Sequence, residues 1–264
     1  MGIRVVVNGA LGRMGEQAAR TVLAQSDMQL VGAVDATASQ PCFPAPESAD
    51  FIPLSSDLGS LLERVQPDVV VDFTRAAVAV EVCRIALPLG VNVVTGSTGL
   101  SSEDLEEVRE LCERSERCAV VAPNFSLGAV VLMHLARIAA QYFDNVEIVE
   151  MHHDKKLDAP SGTAMATARL LAEARGKAFV YPPTEREVLP SARGGEMHGV
   201  AIHSVRLPGI VASQEVLFGG QGQTLSLRHD STSRESYMPG VMMAVRESVK
   251  GKGFIVGLDK ILGL

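Results

Sequence analysis

Fifteen consecutive residues gather most of the acid–base and anion-binding chemistry of this sequence: Glu150-Met151-His152-His153-Asp154-Lys155-Lys156-Leu157-Asp158-Ala159-Pro160-Ser161-Gly162-Thr163-Ala164. Imidazoles exchange protons near neutral pH, which makes the histidine pair a candidate for general acid–base work. Lys156 adds positive charge. Ser161, Gly162 and Thr163 stand just before a helical pattern, and the first turn of a helix leaves N–H groups that can hold a carboxylate or phosphate. The run therefore suits proton transfer on an anionic substrate. Consecutive residues of a strand face opposite ways, so only one histidine would enter a given cleft unless the strand ends between them. Paired surface histidines beside solvated lysines are the alternative reading of the same residues.

A second constellation lies at the N-terminus, where Gly9-Ala10-Leu11-Gly12-Arg13-Met14-Gly15 separates an apolar strand run from a helical pattern. Glycines there permit a tight turn and let a pyrophosphate approach backbone N–H groups at the helix start. The spacing is GxxGxxG rather than GxGxxG, and glycines in such a turn also serve packing alone. Asp35 strengthens the dinucleotide reading: it ends the second strand run, 20 positions after Gly15, where a carboxylate can bind the hydroxyls of an adenosine ribose. Ala36, Thr37, Ala38 and Ser39 follow it, with no cation for a 2′-phosphate. NADH is thus expected to serve at least as well as NADPH, although Arg13 and Arg75 leave NADPH open.

Alternating strand and helix signals place these residues. Strands are expected at Ile3 to Val7, Leu30 to Val34, Asp68 to Phe73 (DVVVDF), Val91 to Thr95 and Ala119 to Ala122, with helices at Arg13 to Ala24, Asp57 to Val65 and Ala76 to Leu89. Ser101 and Asp104 have capping-box spacing for a further helix. This is the grammar of a parallel sheet covered by helices. Thr37 to Pro53, with four prolines, reads as a loop or irregular crossover. After Pro123 the elements lengthen: a helix from Leu127 to Tyr142, a strand from Val146 to His152 and a helix from Thr163 to Glu173. Strands near Val200 to Arg206, Gln214 to Phe218 and Thr224 to Arg228 follow, then a helix from Tyr237 to Val249. The fold class expected is α/β: a Rossmann-type dinucleotide-binding domain over 1–124, an α+β domain with a mixed or antiparallel sheet over 125–233, and a segment over 234–264 returning to the first domain.

Composition narrows the function classes. The chain has 264 residues, 47% of them apolar, and no run approaching the ~20 apolar residues of a membrane span. With no secretory leader pattern at the N-terminus, a cytoplasmic protein is expected. Cys42, Cys83, Cys112 and Cys118 show no metal-binding spacing and are expected as reduced thiols; no metal site is expected. A formal charge of −7 opposes binding to nucleic acid or an anionic membrane.

The glycine loop, Val94-Thr95-Gly96-Ser97-Thr98-Gly99, Ala122-Pro123-Asn124-Phe125-Ser126 and the Glu150–Ala164 run together resemble the 4-hydroxy-tetrahydrodipicolinate reductase (dihydrodipicolinate reductase) family over nearly the whole chain. The histidine-containing run is specific to that family, whereas the glycine loop is shared with many dehydrogenases. The resemblance implies reduction of a cyclic, imine-like dicarboxylate to tetrahydrodipicolinate with NADH or NADPH, in the diaminopimelate route to lysine. It implies proton handling by His152 and Lys156, and substrate carboxylates held by His153, Ser161, Gly162, Thr163 and Arg234. Gly9, Ala10, Leu11, Gly12, Arg13, Met14 and Asp35, with Gly96, Ser97 and Thr98 and with Ala122, Pro123, Asn124 and Phe125, are implied for the cofactor. It also implies a homotetramer. Asp154 and Lys155 stand where relatives often carry more basic residues, and Ala36 where an arginine often follows the acid, which weighs against an NADPH preference. Two competing readings are weaker. An aspartate-semialdehyde dehydrogenase needs a reactive cysteine, yet Phe125 follows Pro123-Asn124; a redox-sensing regulator would need a DNA-binding half that the acidic chain does not offer.

Overall fold

A computed structural model describes residues 2–45 and 51–264, which form two compact units: residues 2–125 with Tyr237–Leu264, and Ser126–Ser236. Positions 46–50 of the expected Thr37–Pro53 loop lie outside the described residues.

The first unit begins with β1 (Ile3–Asn8), α1 (Arg13–Leu23), β2 (Met28–Val34), β3 (Leu54–Ser55), α2 (Leu58–Val65), β4 (Val69–Asp72), α3 (Ala76–Ala86), β5 (Asn92–Thr95), α4 (Ser102–Ser115) and β6 (Cys118–Val121). The second holds α5 (Leu127–Ala139), β7 (Asn145–His152), α6 (Gly162–Arg175), β8 (Gly195–Met197), β9 (Val200–Arg206), β10 (Ala212–Gly220) and β11 (Gln223–Ser231), and a 3-10 turn at Arg234–Tyr237 follows, its last residue already in the first unit. The chain then completes the first unit with α7 (Met238–Ser248), β12 (Gly253–Val256) and α8 (Leu258–Leu262).

Seven parallel strands form the first sheet in the order β3-β2-β1-β4-β5-β6-β12. The order reverses direction at β1, which puts the ends of β1, β2 and β4 at the switch point where ligands bind in open α/β sheets. Valines drive the centre: Val5, Val6, Val7, Val69, Val70, Val71, Val93 and Val94 are all fully buried, as expected of strands covered on both faces. The capping box anticipated at Ser101 and Asp104 forms and starts α4. Three parts were not anticipated: β3, β12 and α8 are short, and β12 opens on Gly253 at positive φ after a glycine-lysine stretch.

The second sheet is mixed, in the order β11-β10-β7-β9-β8, with β7 and β9 parallel and the remaining pairs antiparallel. β7 alternates with period two. Val146, Ile148 and Glu150 are buried, and the two apolar residues pack with Val216 and Phe218 beneath Leu132, Ala136, Ala168 and Leu171 of α5 and α6. The short β8 also escapes sequence patterning, because Gly195-Glu196-Met197 carries neither alternation nor β-branched residues.

All four cysteines are free. Burial pushes the Cys112 thiol up to about 12 and the Cys118 thiol up to about 11, so neither is poised as the thiolate a covalent thioester mechanism needs. Among the described residues no helix is long and apolar enough to cross a membrane, and no group of three or more His, Cys, Asp or Glu is arranged to hold a metal ion.

Candidate functional site

The glycine loop turns sharply out of β1. Gly9 has φ +75°, and a Cβ there would lie 2.8 Å from the Phe73 carbonyl oxygen. At Gly15 a Cβ would meet the Gly9 carbonyl oxygen at 2.0 Å. Backbone packs on backbone at both positions, which only glycine permits. Ala10 is buried and its N–H donates to the Val34 carbonyl at 3.0 Å, while the Gly12 N–H donates to the Gly9 carbonyl at 3.0 Å. No side chain caps α1. Its first-turn N–H groups, those of Arg13 and Met14 included, therefore point out of the helix start without an intrahelical acceptor, beside an exposed Leu11. This is an anion cradle with positive helix-dipole character.

Asp35 follows β2 and faces the same loop. Its Oδ2 accepts from the Leu11 N–H at 3.0 Å, and its Oδ1 accepts from the Thr37 hydroxyl at 2.7 Å and the Thr37 N–H at 3.0 Å. Partial burial raises the carboxyl, but these three donors outweigh it and hold the group below its ordinary range. Asp35, Ala36 and Arg75 line one cleft of about 680 Å³ with Asn8 and Gly9. The cradle, the carboxylate and the cleft fit the pyrophosphate and ribose of a dinucleotide.

The Gly96 turn is organised by a residue that pattern reasoning overlooked. Asp72, the last residue of β4, is fully buried. Its Oδ1 accepts from Asn8 Nδ2 at 2.8 Å and the Thr74 hydroxyl at 2.8 Å; its Oδ2 accepts from the Thr95 hydroxyl at 2.8 Å and the Ser97 hydroxyl at 3.0 Å. The ends of β1, β4 and β5 are thereby fastened to one carboxylate. Ser97 is buried with its hydroxyl committed, so the exposed side chain of this turn is Thr98. Gly96 is also sterically required, because a Cβ there would come within 2.4 Å of the Phe73 ring and 3.2 Å of Phe125. Those two rings meet edge to face, with centroids 6.1 Å apart. Phe125 is core, as is Ala122, whereas Pro123 is exposed and Asn124 half-buried. The signal for Asp72 was a charge set directly after three valines within the DVVVDF run.

In the second unit β7 ends at His152, and His153 lies beyond the strand in a turn closed by the Lys156 N–H donating to the His153 carbonyl at 3.2 Å. His152 shares its face of β7 with Glu150, whose Oε2 lies 2.6 Å from His152 Nδ1. Glu150 is fully buried and takes a two-pronged contact from Arg206, with Nη1 2.9 Å from Oε2 and Nη2 2.7 Å from Oε1. Its Oε1 also accepts from the Ser161 N–H at 3.1 Å. Burial raises the Glu150 carboxyl, but hydrogen bonds from His152, Arg206 and Ser204 overcome that and bring it down to about 2.

Ser161 caps α6, its hydroxyl accepting from the Ala164 N–H at 3.2 Å. Both of its polar handles are thus engaged, and the open donors of the turn are the N–H groups of Gly162 and Thr163. Nothing stands within 4 Å of where a Gly162 Cβ would project. Lys156 Nζ lies 2.8 Å from Asp158 Oδ1. Arg234 is exposed on the 3-10 turn after β11. Register places it: His152 pairs with Ala212 and Ala212 with Ser231, so Arg234 leaves the sheet at the end where His152 sits. Glu150 and Arg206 are the residues missed here. Glu150 lay within the quoted run, but Arg206 is 56 residues from it and only the parallel β7–β9 pairing brings it alongside.

Comparison with known proteins agrees with this arrangement. A family model described as dihydrodipicolinate reductase, N-terminus, matches residues 3–125, and one described as dihydrodipicolinate reductase, C-terminus, matches residues 128–262. The chain is 48% identical over 262 residues to a 4-hydroxy-tetrahydrodipicolinate reductase of Dehalococcoides mccartyi, covering 99% of each chain. It is 43% identical over 266 residues to one of Bacillus subtilis, covering 98% of each. The dipicolinate-bound dihydrodipicolinate reductase of Paenisporosarcina sp. TG-14 superposes with TM-score 0.88 at 42% identity, over 99% of this chain and 100% of that one. Matched by family models over both halves and by full-length relatives at up to 48% identity, the chain belongs to the dihydrodipicolinate reductase family of oxidoreductases.

Proposed function

We propose that this reductase accepts NADH at least as well as NADPH and handles protons through His152 and Lys156. The observation carrying the reading is the cluster at one end of the second sheet: an imidazole backed by a buried carboxylate, an ammonium one turn away, and the open start of α6. When bound, the nicotinamide supplies the hydride. Gly9, Ala10, Leu11, Gly12, Arg13 and Met14 would hold its pyrophosphate, Asp35 its adenosine ribose, and Gly96, Ser97, Thr98 and Ala122 to Phe125 the nicotinamide end. Asp35 with no cation directly after it favours NADH, and Arg75 in the same cleft supplies a charge that lets NADPH bind too.

The Paenisporosarcina relative is a complex with dipicolinate. A dicarboxylate of that kind meets Lys156, His153, Arg234 and the Gly162 and Thr163 N–H groups here, with Ser161 shaping the turn. Lys156 exchanges Asp158 for a substrate carboxylate, and His152 Nε2 exchanges a proton with the ring being reduced. The half-buried Val149 and Met151, on the face of β7 opposite Ile148 and Glu150, support assembly of the family's homotetramer through that sheet face. Four free thiols suit the cytoplasm.

The test couples pyruvate and aspartate semialdehyde through a separate synthase and follows NADH and NADPH oxidation in parallel, with a synthase-free control. Synthase-dependent oxidation with comparable or better efficiency for NADH is expected. An efficiency many-fold higher with NADPH overturns the cofactor reading. His152→Ala and Lys156→Ala should each lower turnover by roughly two to four orders of magnitude in a folded protein, and near-normal turnover removes that residue from its role.

A further inference from the structure

Glu150 is closed to solvent, yet it contacts three parts of the cluster at once. Arg206 Nη2 and the Ser161 N–H meet its Oε1, Arg206 Nη1 and His152 Nδ1 meet its Oε2, and the Ser204 side chain donates to the same carboxylate. Arg206 is itself anchored, its Nη2 donating to the Asp158 carbonyl at 2.7 Å and its Nη1 to the Val205 carbonyl at 2.7 Å. A buried carboxylate facing a guanidinium fork and a backbone N–H is an acceptor only, with no proton to offer. The hydrogen in the 2.6 Å contact with His152 therefore belongs to Nδ1.

We propose that Glu150, held by Arg206, is a positioning residue that keeps the Nδ1 proton on His152 and so reserves Nε2 for proton exchange with the substrate. The same carboxylate ties the Ser161 N–H, so the orientation of the imidazole and the start of α6 are set by one group. Arg206 has a second consequence. An unpaired buried carboxylate beside a dicarboxylate substrate would repel it, and the guanidinium cancels that charge where it arises.

The inference rests on His152 being the proton-handling residue, and the test separates the two. Protein labelled with ¹⁵N-histidine reports the tautomer directly from long-range ¹H–¹⁵N correlations, with His152 assigned by its disappearance in His152→Gln. The neutral ring of the unsubstituted enzyme should be the Nδ1–H tautomer; an Nε2–H tautomer overturns the proposal without any change at Glu150. In Glu150→Gln, where an amide N–H can turn toward Nδ1, the Nε2–H tautomer should appear and kcat should fall roughly 10²- to 10⁴-fold, with the substrate KM changing less than about threefold. Glu150→Asp keeps the charge against Arg206 while withdrawing it from Nδ1, so it should lose activity even if Glu150→Gln does not fold. The double substitution Glu150→Gln with His152→Ala should be no slower than His152→Ala alone, because the carboxylate acts through the imidazole. If His152→Ala is crippled while Glu150→Gln and Glu150→Asp both keep near-normal kcat, the positioning role fails and the role of His152 stands. If His152→Ala itself is near normal, the underlying reading fails.

Discussion

Replacing Asp35 by asparagine should invert the cofactor preference, and the size of the change follows from its surroundings. The carboxylate is half-buried and held ionised by the Leu11 N–H and the two Thr37 donors, at 2.7–3.0 Å. A group bonded to a ribose hydroxyl would lie ~5 Å from a 2′-phosphate, where each unit of phosphate charge costs about 1 kcal/mol in a water-like medium and about 3 kcal/mol at an effective dielectric near 20. Asp35→Asn removes that repulsion for NADPH. For NADH it replaces a charged acceptor by a neutral one, a loss of about 1–2 kcal/mol. The two effects oppose in sign and for one unit of phosphate charge sum to about 2–5 kcal/mol, so the ratio of kcat/KM for NADH over NADPH should fall by roughly 30- to 4000-fold. Steady-state kinetics with both cofactors at saturating substrate measures it. The amide also gives up one of the oxygens serving Leu11 and Thr37, so a disordered loop would weaken both cofactors alike. A ratio within threefold of the original, whatever the absolute rates, refutes the assignment of Asp35 to the ribose.

The other predictions concern the buried acids. Asp72→Asn places an amide N–H₂ where two donors already point, whichever way it is turned, and should cost about 1–3 kcal/mol in urea denaturation while raising the NADH KM by loosening the Thr95–Ser97 turn; unchanged stability would show that the four contacts are not held in solution. Glu150, held at about 2 against an ordinary 4.5, stabilises the second unit fully above its unfolded pKa. That contribution, roughly 3 kcal/mol by linkage, should fade as pH falls from about 4.5 toward about 2. Urea midpoints measured from pH 5 to 3 should decline more steeply for the unsubstituted protein than for Glu150→Gln, and parallel slopes would contradict the ion pair.

Much of this was legible because the signals are local. Valine runs mark strands buried on both faces, the glycine loop sits between a strand and a helix, and Ser101 with Asp104 writes its own cap. β3, β8 and β12 were not legible: two to four residues with a glycine or no alternation carry no period, and they become strands only because a neighbour already presents an unpaired edge. The His-His-Lys run was found from residue types alone, but its working geometry was not. The strand end at His152 and its alternation with Glu150 could be read, but the residue that keeps Glu150 ionised comes from a strand 56 positions away. Non-local pairing of this kind leaves no trace in spacing.

The two units meet the same physical problem in the same way. A ligand-binding turn must sit at the end of a sheet, where the ladder of backbone hydrogen bonds stops and the chain would otherwise be free to vary. In each case a fully buried carboxylate at or near a strand end supplies what the ladder no longer can: Asp72 collects hydroxyl and amide donors from the ends of three strands, and Glu150 collects a guanidinium, an imidazole and the backbone N–H that starts α6. Burying a carboxylate is costly unless its lone pairs are met, and that cost makes the device directional, because any rearrangement of the turn strands part of the charge. Asp72 meets it with four neutral donors, which suits the cofactor role proposed for that turn. Glu150 meets it with a cation, which suits the dicarboxylate proposed for its site. Exchanging these solutions would fail for opposite reasons: a guanidinium would meet an Asp72 carboxylate whose two oxygens each already accept two donors, and neutral donors at Glu150 would leave its negative charge uncancelled.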